Sequence, residues 1–209
     1  MFELPELYFV SGAEFDLRDN HFETIELALK GGARVIQLRE KNLSDSVLLE
    51  YAEKIRKLTL EYNALFIVND RIDIAILSKA DGIHLGQDDL SIKEIRKITR
   101  KKIIVGKSTH SPEQALKAEK EGADYIGVGP VFWTASKKNV CDPVGLDYVK
   151  WASENIKIPF VAIGGIKLHN VEKVLENGAK SIAVITEITQ SKNPEKTARD
   201  FIEKIKKGH

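Results

Sequence analysis

Gly32-Ala33-Arg34-Val35-Ile36-Gln37-Leu38-Arg39 holds a helix stop, a short strand and a polar strand end in one run. A glycine just past a helix suits the left-handed conformation that closes it. The Val-Ile-Gln-Leu run that follows is mostly apolar and does not alternate cleanly, as expected of a strand in a parallel sheet covered on both faces. The same junction recurs at Ala80-Asp81-Gly82, Gly122-Ala123-Asp124 and Gly178-Ala179-Lys180, each time closing a helix and feeding a strand. Working outward from these junctions, strands are expected at residues 7–10, 35–39, 64–68, 82–85, 102–105, 125–128, 160–163 and 181–185. Amphipathic helices are expected at 22–29, 45–62, 73–77, 91–99, 146–152, 168–176 and 194–207, with another starting at Ser111-Pro112-Glu113, where serine caps and proline fits the first turn. Eight strand–helix units without a topological break predict a closed (β/α)8 TIM barrel, in fold class α/β, as one catalytic domain over 1–209. An open doubly wound sheet is the alternative.

The composition narrows the function classes. With 32 basic and 31 acidic residues the net charge is +1, so no basic excess points to nucleic acid. No stretch reaches the roughly 20 apolar residues of a membrane span, and the first six residues carry no basic leader. The single cysteine, Cys141, excludes an intrachain disulfide and suits a reducing, cytoplasmic setting. The expected partners are therefore small molecules, with no nucleic acid and no membrane; the oligomeric state stays open.

In such a barrel the chemistry sits at the C-terminal strand ends. Strand two ends in Gln37-Leu38-Arg39-Glu40-Lys41. Gln37 and Arg39 share parity, and Arg39 with Lys41 suits a multiply charged anion, or else a surface ion cluster with Glu40. Strands three and four end in Asn69-Asp70-Arg71 and Gly86-Gln87-Asp88-Asp89. Asp70 and Asp89 read as ligands of a hard cation and Asp88 as a helix cap, a role open to all three. After strand five, Ser108 suits a phosphate, and His110 is either an acid–base group or a loop residue. Thr134, Ser136 and Lys137 make a plausible phosphate loop after strand six. Gly164-Gly165 and Ile185-Thr186 suit backbone binding of phosphate, the glycine pair being equally readable as a tight turn. His84 reads as a packed, hydrogen-bonded histidine inside strand four and Trp151 as helix packing. Cys141 falls in the long loop with no metal-ligand partner nearby.

Taken in order, Gln37-Leu38-Arg39-Glu40-Lys41, Asn69-Asp70, Gly82-Ile83-His84-Leu85-Gly86-Gln87-Asp88-Asp89, Ser108-Thr109-His110, the 129–137 loop and Ala162-Ile163-Gly164-Gly165-Ile166 resemble the thiamine-phosphate synthase (thiamine-phosphate pyrophosphorylase) family over nearly the whole chain. The resemblance implies a transferase that joins 4-amino-2-methyl-5-hydroxymethylpyrimidine diphosphate to the thiazole phosphate. It would release pyrophosphate by a magnesium-assisted dissociative substitution. On that resemblance Gln37, Arg39, Lys41, Asn69, Ser108 and Lys137 bind the pyrimidine diphosphate, with Arg39, Lys41, Lys137 and Ser108 acting in catalysis. Asp70 and Asp89 hold Mg2+. Thr134, Ser136, Gly165, Ile185 and Thr186 bind the thiazole phosphate. Trp133, Ser136 and Thr186-Glu187 depart from the family's usual proline, threonine and Ser-Ala. A sister family of thiazole tautomerases, in which His110 would move the proton, and a non-catalytic phosphate sensor are the alternatives.

Overall fold

The computed structural model describes residues 3–100, 103–136 and 141–208. Eight parallel strands pair in chain order and β8 closes on β1, giving a barrel and excluding the open sheet. They are β1 (Leu7–Val10), β2 (Val35–Leu38), β3 (Leu65–Asn69), β4 (Gly82–Leu85), β5 (Ile104–Thr109), β6 (Tyr125–Val128), β7 (Phe160–Ile163) and β8 (Ser181–Val184). The helices are α1 (His21–Lys30), α2 (Asp45–Glu61), α3 (Ile72–Leu77), α4 (Ile92–Thr99), α5 (Pro112–Lys120), α6 (Gly145–Asn155), α7 (Val171–Glu176), α8 (Thr186–Thr189) and α9 (Pro194–Lys207).

Side-chain parity sorts the apolar residues into two cores. Leu7, Phe9, Ile36, Leu38, Phe66, Val68, Ile83 and Leu85 point outward and pack under the helices. Tyr8, Val10, Val35, Ile67, Tyr125, Val161 and Ala183 fill the barrel interior. Every strand is therefore covered on both faces, which is why no clean alternation marks the sequence.

The recurring junctions have a structural task on the N-terminal face. Asp81 Oδ2 accepts the backbone N–H of Phe66 at 2.8 Å and Arg56 Nη1 of α2 at 2.7 Å. Asp124 repeats the motif two units later, accepting from Val105 N at 2.7 Å and from Arg96 Nη2 of α4 at 2.6 Å. Each aspartate ties a strand start to its neighbour and to a helix, as expected of the barrel's stability face. Gly32, Gly122 and Gly178 take positive φ at their helix ends, whereas at the second junction Lys79 adopts it, at φ 54°.

Three expectations change. Of the fifth strand expected at 102–105, Lys102 lies outside the described residues; the strand starts at Ile104 and continues through Gly106, Lys107 and Ser108 to Thr109, because these last four pair with β6, ending at Thr109↔Val128. The helix expected at 168–176 begins only at Val171, after a turn in which Asn170 Oδ1 accepts from Lys167 N. A four-residue helix, α8, follows β8 after Ile185, where the sequence reading placed no element.

Candidate active site

The C-terminal mouth of the barrel opens into a cavity of about 160 Å³, lined by Gln37, Arg39, Asn69, Ser108, Thr134, Ser136, Gly165, Ile185 and Thr186 among others. That is room for a small aromatic ring. A second hollow, between the ends of β2 and β3, holds Arg39, Lys41, Asn69 and Asp70. Arg39 and Asn69 face both, so the ring-sized cavity and the charged hollow share a wall.

The charged hollow is built on local strain. Asp70 follows β3 with φ 60°, a left-handed conformation uncommon outside glycine, and its N–H bonds the carbonyl of His84 at 2.9 Å. Such strain gathers at functional sites. Burial and the adjoining Asp89 carboxylate hold the Asp70 carboxyl above its usual range, partly offset by Lys41. Lys41 Nζ lies 3.4 Å from Asp70 Oδ2. Asp89 Oδ2 also accepts the Gly86 N–H at 2.6 Å, closing its own turn. Neither Asp70 nor Asp89 caps a helix: Arg71 precedes α3 and Ser91 caps α4 with a complete capping box. Two carboxylates with a like-charge conflict, all hard oxygen donors, fit a magnesium ion that completes its shell with water and phosphate. Among the described residues no group of three or more metal-binding side chains occurs.

Glu40 does not join Lys41 on the surface. Its carboxylate turns inward, where Oε1 accepts from Ser11 Oγ at 2.9 Å and Ala13 N at 3.0 Å. Ser11 Oγ in turn accepts the backbone N–H of Arg39 at 2.9 Å. Beneath lies a second buried acid, Asp16, which bonds His21 Nδ1 at 2.6 Å and Thr24 Oγ1 at 3.1 Å. His21 Nε2 lies 3.9 Å from Glu40 and has no hydrogen-bond partner among the described residues. The ion-cluster reading of Glu40 fails because the loop after β1 offers these donors, and no local pattern announces them.

The wall formed by β5 and β6 carries the remaining polar groups. Ser108 Oγ bonds His84 Nε2 at 2.9 Å. His110 lines the cavity and is also held in its loop, where its backbone N–H donates to Gln114 Oε1 at 2.8 Å and its Nδ1 bonds the Gly129 carbonyl at 2.5 Å. A carbonyl only accepts, so Nδ1 carries a hydrogen, and in the neutral ring the lone pair then lies on Nε2. Thr134 and Ser136 hydroxyls meet at 3.1 Å. Gly165, at φ 62°, lies under this loop so closely that a Cβ would sit 2.5 Å from the Trp133 carbonyl oxygen. Only glycine lets the two phosphate-type loops touch. Trp133 itself is exposed. Lys137 lies outside the described residues.

Four contributors escape the sequence reading. Tyr8 and Tyr125 look like strand apolar residues, yet their hydroxyls meet at 2.8 Å in the barrel interior. His84, read as a packed histidine, is packed and hydrogen-bonded but also lines the cavity. Lys107 is buried, its Nζ on the Gly86 carbonyl at 2.6 Å, and burial lowers its pKa. A lysine inside a strand beside Asp88-Asp89 was the available signal, concealed when the strand was ended at Val105.

A family model described as thiamine monophosphate synthase matches residues 7–188, which include all eight strands. The chain belongs to the thiamine-phosphate synthase family. It is 49% identical over 188 residues to the thiamine-phosphate synthase of Lawsonia intracellularis, covering 90% of this chain and 87% of that protein. It is 50% identical over 187 residues to that of Shouchella clausii, covering 90% of each. In structure it resembles thiamine phosphate pyrophosphorylase from Pyrococcus furiosus, with TM-score 0.89, 37% identity and coverage of 97% and 96%. Members of this family are transferases of thiamine biosynthesis. Among the described residues no helix is long and apolar enough to cross a membrane.

Proposed function

We propose that the ring-sized cavity takes the aminopyrimidine and the charged hollow takes its diphosphate, with Mg2+ held by Asp70 and Asp89. The observation that carries this reading is the wall shared by the two: Arg39 and Asn69 line both, so one bound molecule can place a ring on one side and an anion on the other. Thr134, Ser136, Gly165, Ile185 and Thr186 are then left for the thiazole phosphate across the same cavity.

Arg39 and Lys41 supply preorganised positive charge where the diphosphate departs, the family resemblance assigns Lys137 to the same leaving group, and Ser108 donates a hydrogen bond to the pyrimidine diphosphate. Magnesium, when bound, adds charge neutralisation to the same leaving group. The bond from the pyrimidine methylene to the diphosphate breaks first, leaving a ring-stabilised cation. The thiazole nitrogen already has a lone pair, so it captures that cation with no protein base. The chain's task is to hold the two substrates in line and to exclude water from the cation. A tautomerase would use His110 Nε2 as its base and would have no task for Asp70, Asp89 and Lys41. A sensor would need binding but no charge on a leaving group. The exposed free thiol of Cys141 suits a reducing, cytoplasmic setting.

Purified protein given both substrates should form thiamine phosphate and pyrophosphate with magnesium, and stop when EDTA is added. Full turnover in metal-free buffer would remove the role of Asp70 and Asp89, and tautomerisation without condensation would move the assignment to His110.

A further inference from the structure

The pairing of β4 with β5 ends at Leu85↔Lys107. Beyond that pair, side chains take over from the backbone ladder. Lys107 Nζ donates to the Gly86 carbonyl at 2.6 Å, and Gln87 Nε2 donates to the Ser108 carbonyl at 2.5 Å. Gly86 is tied on its other side as well, because its N–H donates to Asp89 Oδ2 at 2.6 Å. A Cβ on Gly86 would stand 3.1 Å from that oxygen, so a larger residue would crowd the bond. The turn that carries Asp89 is thus fastened to β5 at two points.

The fold alone gives no reason for a lysine at this place. Lys107 alternates with Ser108, which lines the cavity, so its side chain points outward and away from the substrates. Ile83, Leu85 and Val105, which share that outward layer, are buried and apolar. An ammonium among them loses hydration that an apolar side chain would not need. Burial lowers its pKa; the charges of Asp89, Glu121 and Asp88 work against that fall, and Lys117 adds to it. The metal site supplies a task. Asp70 and Asp89 adjoin in like-charge conflict. Their charges push apart, and the Gly86 N–H holds Asp89 against that push. The hold is only as firm as Gly86 itself, which Lys107 secures from the other side.

We infer that Lys107, with Gln87 beside it, is a positioning residue for the metal site: by fixing Gly86 it keeps the Asp89 carboxylate beside Asp70, preorganised for a divalent cation. This rests on the reading of Asp70 and Asp89 as magnesium ligands. Groups that orient a metal's ligands are typically worth about 10–100-fold in affinity. An ammonium near the site also repels a cation. Positioning outweighs that repulsion here, so loss of the lysine weakens metal binding rather than tightening it.

Lys107→Met keeps the stem and removes the charge with its donors. Mn2+ alone, titrated into the protein and followed by the electron paramagnetic resonance of the free ion, reads metal affinity with no substrate present. Its Kd should rise about ten- to a hundredfold in Lys107→Met. The magnesium concentration for half-maximal condensation should rise by a similar factor, with kcat at saturating magnesium within about threefold of wild type and KM for the thiazole phosphate unchanged. Tm should hold or rise, because an apolar chain replaces a buried charge. Gln87→Leu changes an exposed side chain and removes the second fastening. It should weaken Mn2+ binding by about two- to tenfold, the worth of one neutral hydrogen bond, and it carries the test if Lys107→Met does not fold. A merely structural lysine predicts a lower Tm with Mn2+ affinity intact. Wild-type affinity in the variants that fold overturns the inference, and so does tighter binding. Wild type that binds no Mn2+ removes the metal reading of Asp70 and Asp89 and this inference with it, a separate failure visible before any variant is made.

Discussion

Glu40→Ala tests whether the inward carboxylate supports the anion site. Its Oε1 alone accepts from both Ser11 Oγ and Ala13 N, and the side chain is only 8% exposed. A hydrogen bond to a charged group contributes about 1.5–3 kcal/mol, so deleting both should cost about 3–6 kcal/mol. That is a large share of a typical stability of about 5–15 kcal/mol. Glu40→Gln keeps an oxygen in place for both donors but loses the charge. Neutral bonds are about half as strong, so that variant should lose about 1.5–3 kcal/mol. Because Ser11 Oγ also holds the Arg39 backbone, loosening it should raise KM for the pyrimidine diphosphate while leaving KM for the thiazole phosphate near wild type. Urea denaturation at equal slope gives the stability loss, and initial rates give both KM values. If Glu40→Ala lies within about 0.5 kcal/mol of wild type, the range of an ordinary surface change, or if Gln is as harmful as Ala, the account is wrong.

Asp70→Asn should mainly lower kcat, by about 10²–10³-fold as for loss of other charge-stabilising groups. Thr134→Ala should mainly raise KM for the thiazole phosphate, by about ten- to a hundredfold, the worth of one bond to a charged group; identical defects in the two variants would undo the two-site map. His110→Ala should keep condensation within about one to two orders of magnitude of wild type, because no base is required, whereas Lys137→Ala should be worse. Pyrophosphate release by the two folded variants decides this, and the opposite ranking would favour the tautomerase. Alkaline stability reports on the buried phenols: Tyr8 and Tyr125 are both raised above 10.0 by burial. Their contribution is complete below the unfolded-state value near 10 and is lost as pH climbs through the higher folded values. Denaturation midpoints should therefore fall above about pH 10, less steeply in Tyr8→Phe, and equal slopes for the two proteins would contradict the linkage.

The barrel was legible because its signals are local. A glycine past a helix, an apolar run and a polar strand end recur often enough along the chain to fix the order of the elements and the face on which chemistry sits. The aspartates at 81 and 124 were visible as part of that repeat, though not as partners of Arg56 and Arg96. The same locality exposed most of the cavity residues, since Gln37, Asn69, Thr134 and Gly165 stand at strand ends or in the loops just beyond them. The resemblance to the family added their expected tasks.

Long-range partners were not legible. Glu40 next to two cations reads as a surface ion pair until the loop after β1 is folded against it and supplies Ser11 and Ala13. Tyr8 and Tyr125 are separated by 117 positions, and each alone is an ordinary strand residue. Only barrel closure, which places β1, β4 and β6 around one interior, turns two phenols and a histidine into a connected chain. The extent of β5 was likewise a tertiary decision: the glycine, lysine and serine after Val105 have weak strand preference, and pairing with β6 overrides it. Sequence determines what each short segment can become, through propensity and periodicity. Which polar groups meet in the interior is decided when closure removes water and leaves each buried donor or acceptor only the neighbours that the barrel provides.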